Sequence, residues 1–154
     1  MAILLAGITA GLTTVLEEVG WTGFAVPRLR RRHGVVATGL IVGVLWGTWH
    51  LLIAFWASRG LAGEAPLAGF IAGFGAFYFV ALPAYRVLMV WVYDHTASLL
   101  LAMLMHAVLS LFTFIATFVH AWYVVAFYVC GGADSLLALA WFAMTGRRFL
   151  TLEA

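Results

Sequence analysis

Five apolar runs, each near the roughly 20 residues needed to cross the hydrocarbon layer of a bilayer, fill most of this 154-residue chain. They fall at about 2–21, 35–57, 67–92, 97–119 and 121–145. In lipid every backbone N–H and C=O needs a partner within its own segment or in a closed barrel. Runs this long, without period-two alternation, exclude barrel strands, so all five are expected to be helices. The chain is 66% hydrophobic and 9% charged, where soluble domains average about 45–50% and about 25%. The fold class expected is therefore all-α, a polytopic membrane bundle of about five transmembrane helices around a polar cavity, in one domain over residues 1–154.

The arginines set the expected orientation. There is no lysine, and seven of the eight arginines (Arg28, Arg30, Arg31, Arg32, Arg86, Arg147 and Arg148) fall on one side of a five-span arrangement, with Arg59 on the other. By the positive-inside rule that side is cytoplasmic, which puts the N-terminus outside and the C-terminus inside a cell membrane of bacterial type. Arg86, near the end of the third run, is expected to snorkel to the cytoplasmic face. The cluster at Arg28–His33 faces lipid headgroups in this reading, and no nucleic-acid partner is expected. The first run lacks the basic start and small-residue cleavage site of a signal peptide. Cys130, the single cysteine, forms no internal disulfide and fits no metal-ligand spacing.

Against this apolar background the buried ionisable groups stand out, because a carboxylate or imidazole in a span is expensive unless paired or used. Glu17 and Glu18 lie toward the end of the first run. His50 lies in the second, with Trp46 four residues before it and Gly43 and Gly47 extending the same face. His106 lies in the fourth, on a strip of small and polar residues with Ala102 and Ser110. At 1.5 Å per residue all are within about 10 Å of their helix midpoints, so they can converge. Two carboxylates and two imidazoles on three helices suit activation of water by a general base, or a divalent metal held through N and O ligands. Each histidine taken alone reads as hydrogen-bonded to a backbone carbonyl. His106 and His120 are fourteen apart, as in membrane b-type haem proteins, but no matching pair stands on a second helix. Asp94 or Thr96 is placed to cap the fourth helix.

The three segments, in this order, resemble the motifs of the CAAX-protease and bacteriocin-processing family of intramembrane endopeptidases, which includes the type II prenyl-protein endopeptidases and the Abi proteins. Its first motif is matched at Glu17, Glu18, Gly20, Trp21, Gly23, Pro27, Arg28 and Leu29, its second at Trp46 and His50, and its third at His106 and Ser110. The resemblance spans roughly residues 10–145. It implies a protease acting on a peptide or protein substrate in the bilayer, prenylated tails and leader peptides both being candidates. It implies Glu17 as the general base, His50 and His106 as the groups that orient water and stabilise the oxyanion, Glu18 in support, and Ser110 in place of the family's Asn. A bound zinc, with Glu17, His50 and His106 as ligands and one open position, is left open beside a metal-free mechanism. The zinc-protease signature His-Glu-x-x-His is absent. The family's motif Arg stands as Thr22 here, so the charge expected to pair with a carboxylate is missing from that helix, and Arg28 lies six residues further on. Family members carry further helices before the first motif, and this chain is expected to lack them. The alternative is a catalytically inactive membrane protein of the same fold, serving immunity or binding.

Overall fold

The computed structural model describes residues 2–62, 75 and 77–119. The whole fifth apolar run, together with His120, Arg147 and Arg148 beside it and Cys130 within it, lies outside the described residues, as does the start of the third run. Among the described residues the regular structure is all helical, with no strand. Helix α1 is Ala2–Gly20, α2 is Val26–Arg30, α3 is Val35–Ala62, α4 is Leu82–Thr96 and α5 is Leu99–Val119.

Two wide π turns stand among the described residues. Trp21–Ala25 carries α1 into α2, and Phe77–Ala81 leads into α4. The flanking residues Gly20, Val26 and Ala81 keep right-handed helical angles, so the chain turns on without a cap. The cause is proline. Pro27 and Pro83 each follow a π turn by two residues, and a proline ring clashes with the carbonyl four residues back while offering no N–H. A looser turn just before it absorbs both faults. The first run therefore continues to Arg30 instead of stopping near Trp21, and the chain stays helical from Phe77 through Pro83 to Thr96.

Glycine sets the closest helix contact. Gly39, Gly43 and Gly47 form a stripe along α3, and a Cβ on them would overlap Val87, Pro83 and the carbonyl oxygen of Tyr78, respectively. The missing side chains let α4 and the turn before it lie directly on the α3 backbone. Apolar side chains fill in around that seam: Trp46, Phe77, Tyr78 and Leu82 on one side, and Val26, Val35, Val42 and Val90 toward the basic turn. Gly47→Ala should cost about 1–3 kcal/mol, the usual range for overpacking, because its neighbour is rigid backbone. Gly11→Ala, with nothing within 4 Å of the added carbon, should stabilise by up to about 1 kcal/mol through helix propensity. Thermal unfolding in one detergent compares the pair, and equal effects would mean that the stripe does not set the helix spacing.

The basic end is tied by side chains. The Arg30 Nε–H donates to Asp94 Oδ2 at 2.7 Å, clamping α2 to the end of α4. Ala97 then adopts left-handed angles (φ 49°) and closes α4 through its N–H on the Tyr93 carbonyl at 2.8 Å. Ser98 caps α5 by accepting the Leu101 N–H at 3.2 Å. The expected caps act otherwise: Asp94 is taken by Arg30, and the Thr96 hydroxyl donates to the Val92 carbonyl. Leu12, Leu16, Leu45, Trp49, Trp56, Leu104 and Leu111 point outward. One stretch among the described residues, Val35–Trp56, is long and apolar enough to cross a membrane, and Leu99–Leu111 is a shorter apolar helix.

Candidate active site

Adjacent residues on a helix point about 100° apart, so the two carboxylates of α1 diverge. Glu17 faces a cavity of about 400 Å³. Glu18 points into the packed interior, where it is fully buried. The cavity runs from Glu17, Trp46, His50 and His106 past Thr13 and Thr14 of α1, Ala54 of α3, Phe77 and Leu82, and Ser110 and Thr113 of α5.

Three of the expected site residues meet at one end of it. Glu17, His50 and His106 each offer a ligand atom, and these atoms lie within 4.8 Å of one another. The His50 Nε2 is 3.9 Å from Glu17 Oε2. Trp46 is the wedge between them. Its ring meets His50 edge-on at 5.2 Å and His106 at 4.8 Å between centroids, and its indole N–H donates to Glu17 Oε2 at 3.2 Å. Ser110, one turn beyond His106, is in the cavity wall as its spacing implied.

The partners of the two imidazoles fix their protons. His50 Nδ1 is 3.0 Å from the Trp46 carbonyl oxygen, which only accepts, so Nδ1 carries the hydrogen. His106 Nδ1 is 2.9 Å from Glu18 Oε1. Glu18 also receives two guanidinium N–H groups of Arg86, at 3.0 and 2.9 Å, and the Thr22 hydroxyl. That arrangement suits an ionised, acceptor-only carboxylate, so His106 Nδ1 also carries its hydrogen. In the neutral imidazoles both Nε2 atoms then keep a lone pair toward the cavity.

Arg86 corrects two expectations. It does not snorkel: its side chain is completely buried, forked onto Glu18, with its guanidinium 4.2 Å over the Trp46 ring. The close α3–α4 seam gives the stem no route outward, and the buried Glu18 supplies the counter-charge that a water-facing route would otherwise have to replace. The charge missing at Thr22 is therefore not missing from the site. It comes from α4, and the short Thr22 side chain stands 3.3 Å from Arg86 Nη1. Arg28, as its spacing implied, does not join the carboxylates; it stacks on Phe24 and donates to the Phe24 carbonyl. Sequence reasoning also missed Tyr85, whose hydroxyl donates to the Met105 carbonyl at 2.9 Å and ties α4 to α5 beside His106. The signal for Arg86 was present, since a lone arginine in an apolar run calls for an acidic partner.

The donor set fits a metal on chemistry. One carboxylate and two imidazoles with inward lone pairs are a catalytic-zinc set, each imidazole backed by an acceptor on its other nitrogen. The candidate ligand atoms lie within 4.8 Å of one another, a wider spread than the roughly 3.4 Å between donors around tetrahedral zinc.

The described residues thus form a helical bundle in which two carboxylates and two histidines meet beside a cavity among apolar helices. Residues 1–112 match the family model described as type II CAAX prenyl endopeptidase Rce1-like, and the chain belongs to that family. The matched stretch includes Glu17, Glu18, Trp46, His50, Arg86, His106 and Ser110. Over 44 residues the chain is 32% identical to the CAAX prenyl protease 2 of Methanococcus maripaludis, a match covering 29% of this chain and 16% of that protein. No solved structure matches the chain.

Proposed function

We propose that this chain is an intramembrane endopeptidase of a single polytopic domain, hydrolysing a peptide bond with a water activated at Glu17. The observation that carries the reading is the convergence of Glu17, His50 and His106 on one cavity wall. A water there gives one hydrogen to the Glu17 carboxylate and the other to an Nε2 lone pair of the two imidazoles. Glu17 takes one proton as the water oxygen attacks the scissile carbonyl carbon, and the carbonyl electron pair moves onto oxygen. The Ser110 hydroxyl is the donor assigned to that oxyanion. Collapse of the intermediate breaks the C–N bond, and the proton held by Glu17 passes to the leaving amine. Glu18, on Nδ1–H, keeps His106 oriented and supports any positive charge that forms on it.

Glu17, His50 and His106 would hold a zinc ion if one binds. Zinc would polarise the carbonyl and make the bound water more acidic. The arginine distribution supports the outside-to-inside orientation, and the family description supports a prenylated tail as substrate.

The test uses protein in liposomes with membrane-anchored peptides, a farnesylated Cys-a-a-X tail and an unprenylated leader peptide, in H2(18)O. Hydrolysis puts one heavy oxygen into the new carboxylate, which mass spectrometry reads. Peptide retained uncut is the result for a binding or immunity protein and ends the hydrolase reading. Metal dependence has its own readout. Calorimetry should show one zinc per chain, weakened at least about 100-fold by His50→Ala, since a first ligand matters no less than the outer partners whose loss costs 10–100-fold. Absence of that site leaves the metal-free route.

A further inference from the structure

We propose that the substrate peptide reaches Glu17 from the end of the bundle opposite the basic turn, so that the protein takes chain segments displayed on that side of the membrane. The inference deepens the hydrolase reading and rests on it for its kinetic arm alone. The direction of the cavity follows from the direction of each helix. Helix α1 runs through α2 toward the basic turn at residues 31–34, and α3 starts from that turn and runs away from it. Helix α4 runs toward it, since Asp94 near its end is held by Arg30. Helix α5 begins just past Ala97 and runs away.

On α1 the cavity lining precedes Glu17, at Thr13 and Thr14; on α3 it follows His50, at Ala54; on α5 it follows His106, at Ser110 and Thr113. Phe77 and Tyr78 line it from the turn that leads into α4, ahead of Arg86. Every one of these offsets points away from the basic turn, by about 6 Å on α1 and α3 and about 10 Å on α5. Trp46, one turn before His50, forms the floor. Among the described residues the other direction is closed. Toward the basic end stand Thr22, Val26, Val42 on α3, Val90 on α4 and Ala102 on α5, each 0 or 1% exposed. The ion pair of Glu18 with Arg86 fills the level between, fully buried. Glu17 and His50 keep side-chain exposures of 24% and 30%. A peptide arriving from the basic end would have to part the α3–α4 seam and separate that pair, which is costly. From the other end it follows the cavity that is already there.

The test labels single cysteines in a Cys130→Ala background, expressed in a bacterial host, with a positively charged methanethiosulfonate that does not cross membranes. Gly34→Cys marks the basic turn, where an added carbon meets nothing within 4 Å, and Ser110→Cys marks the cavity wall with almost no change of shape. Spheroplasts and inverted vesicles present the two sides of the membrane. Each cysteine should react at least about tenfold faster in one preparation than in the other, because a fixed charge crosses lipid poorly, and the two should choose opposite preparations. Ser110→Cys reacting on the same side as Gly34→Cys, on both sides or on neither overturns the proposal, and Thr13→Cys takes its place if it does not fold. On cleavage, a bulky polyethylene glycol maleimide on Thr13→Cys should stop hydrolysis, and the same polymer on Gly34→Cys should leave it. Cleavage that survives the first or is lost with the second also overturns the proposal. If wild type cleaves nothing the hydrolase reading falls, and the labelling still decides from which end the cavity is reached.

Discussion

Glu17→Gln should lower the rate of peptide hydrolysis by about 10²–10⁴-fold, the range for removing a positioned general base, and leave the unfolding temperature within about a degree or two of wild type. The amide has the same shape as the carboxylate, and its carbonyl oxygen can still accept the Trp46 indole N–H that Glu17 accepts at 3.2 Å. It cannot take a proton from water. Glu17 is 24% exposed in the cavity wall, unlike Glu18 at 0%, so neutralising it strands no buried partner. The two readouts together make the prediction sharp. A variant that loses cleavage and also loses its fold says nothing special about Glu17, whereas one that keeps both rules it out as the base. Zinc affinity, where wild type shows any, should fall as well, because a neutral amide is a poor ligand beside a carboxylate.

How far this site could be read in the sequence depended on the distance between the partners. Trp46 with His50, and His106 with Ser110, are spaced by four, and helical periodicity alone puts each pair on one face. The Gly43–Gly47 spacing marked the side from which another helix approaches, and Gly39 extends it to the same rule. The divergence of Glu17 and Glu18 is also helical geometry, yet which of them faces the cavity depends on α4 and α5. The partnership of Glu18 with Arg86 spans 68 residues, and no local pattern reports it. The insertion cost of an unpaired arginine did demand an anion, while snorkelling offered a second, wrong way of meeting the same demand. The π turns were hidden for a different reason. Proline reads as a break, and whether a helix breaks or loosens by one residue is settled by whether packing on both sides keeps the axis going, as it does at Pro27. The cap at Ser98 escaped because Asp94 was already engaged by Arg30 across the fold.

Glu18→Leu should destabilise the protein by about 3–5 kcal/mol, the cost of removing one partner of a buried ion pair, and it is the largest stability effect expected of any single substitution at the site. The loss strands the Arg86 guanidinium among helices, with its stem closed in by the α3–α4 seam and only the Trp46 ring and the Thr22 hydroxyl beside it. Leucine fills the volume, so the deficit is electrostatic and not a cavity. Adding Arg86→Met should restore most of that stability, since replacing a whole buried pair by apolar side chains is often neutral or favourable by about 1–4 kcal/mol. The double variant should unfold near the wild-type temperature and still cleave slowly, because His106 then has no acceptor on Nδ1–H. Thermal unfolding in a single detergent, with the cleavage assay on the same samples, measures both. A double variant as unstable as Glu18→Leu would mean that the pair is not what the single substitution removes. A double variant that is stable and fully active would mean that the buried pair serves neither fold nor catalysis. Between those limits lies the expected outcome: Glu18 and Arg86 are a pair the fold can do without only when both are gone, and that the chemistry needs together.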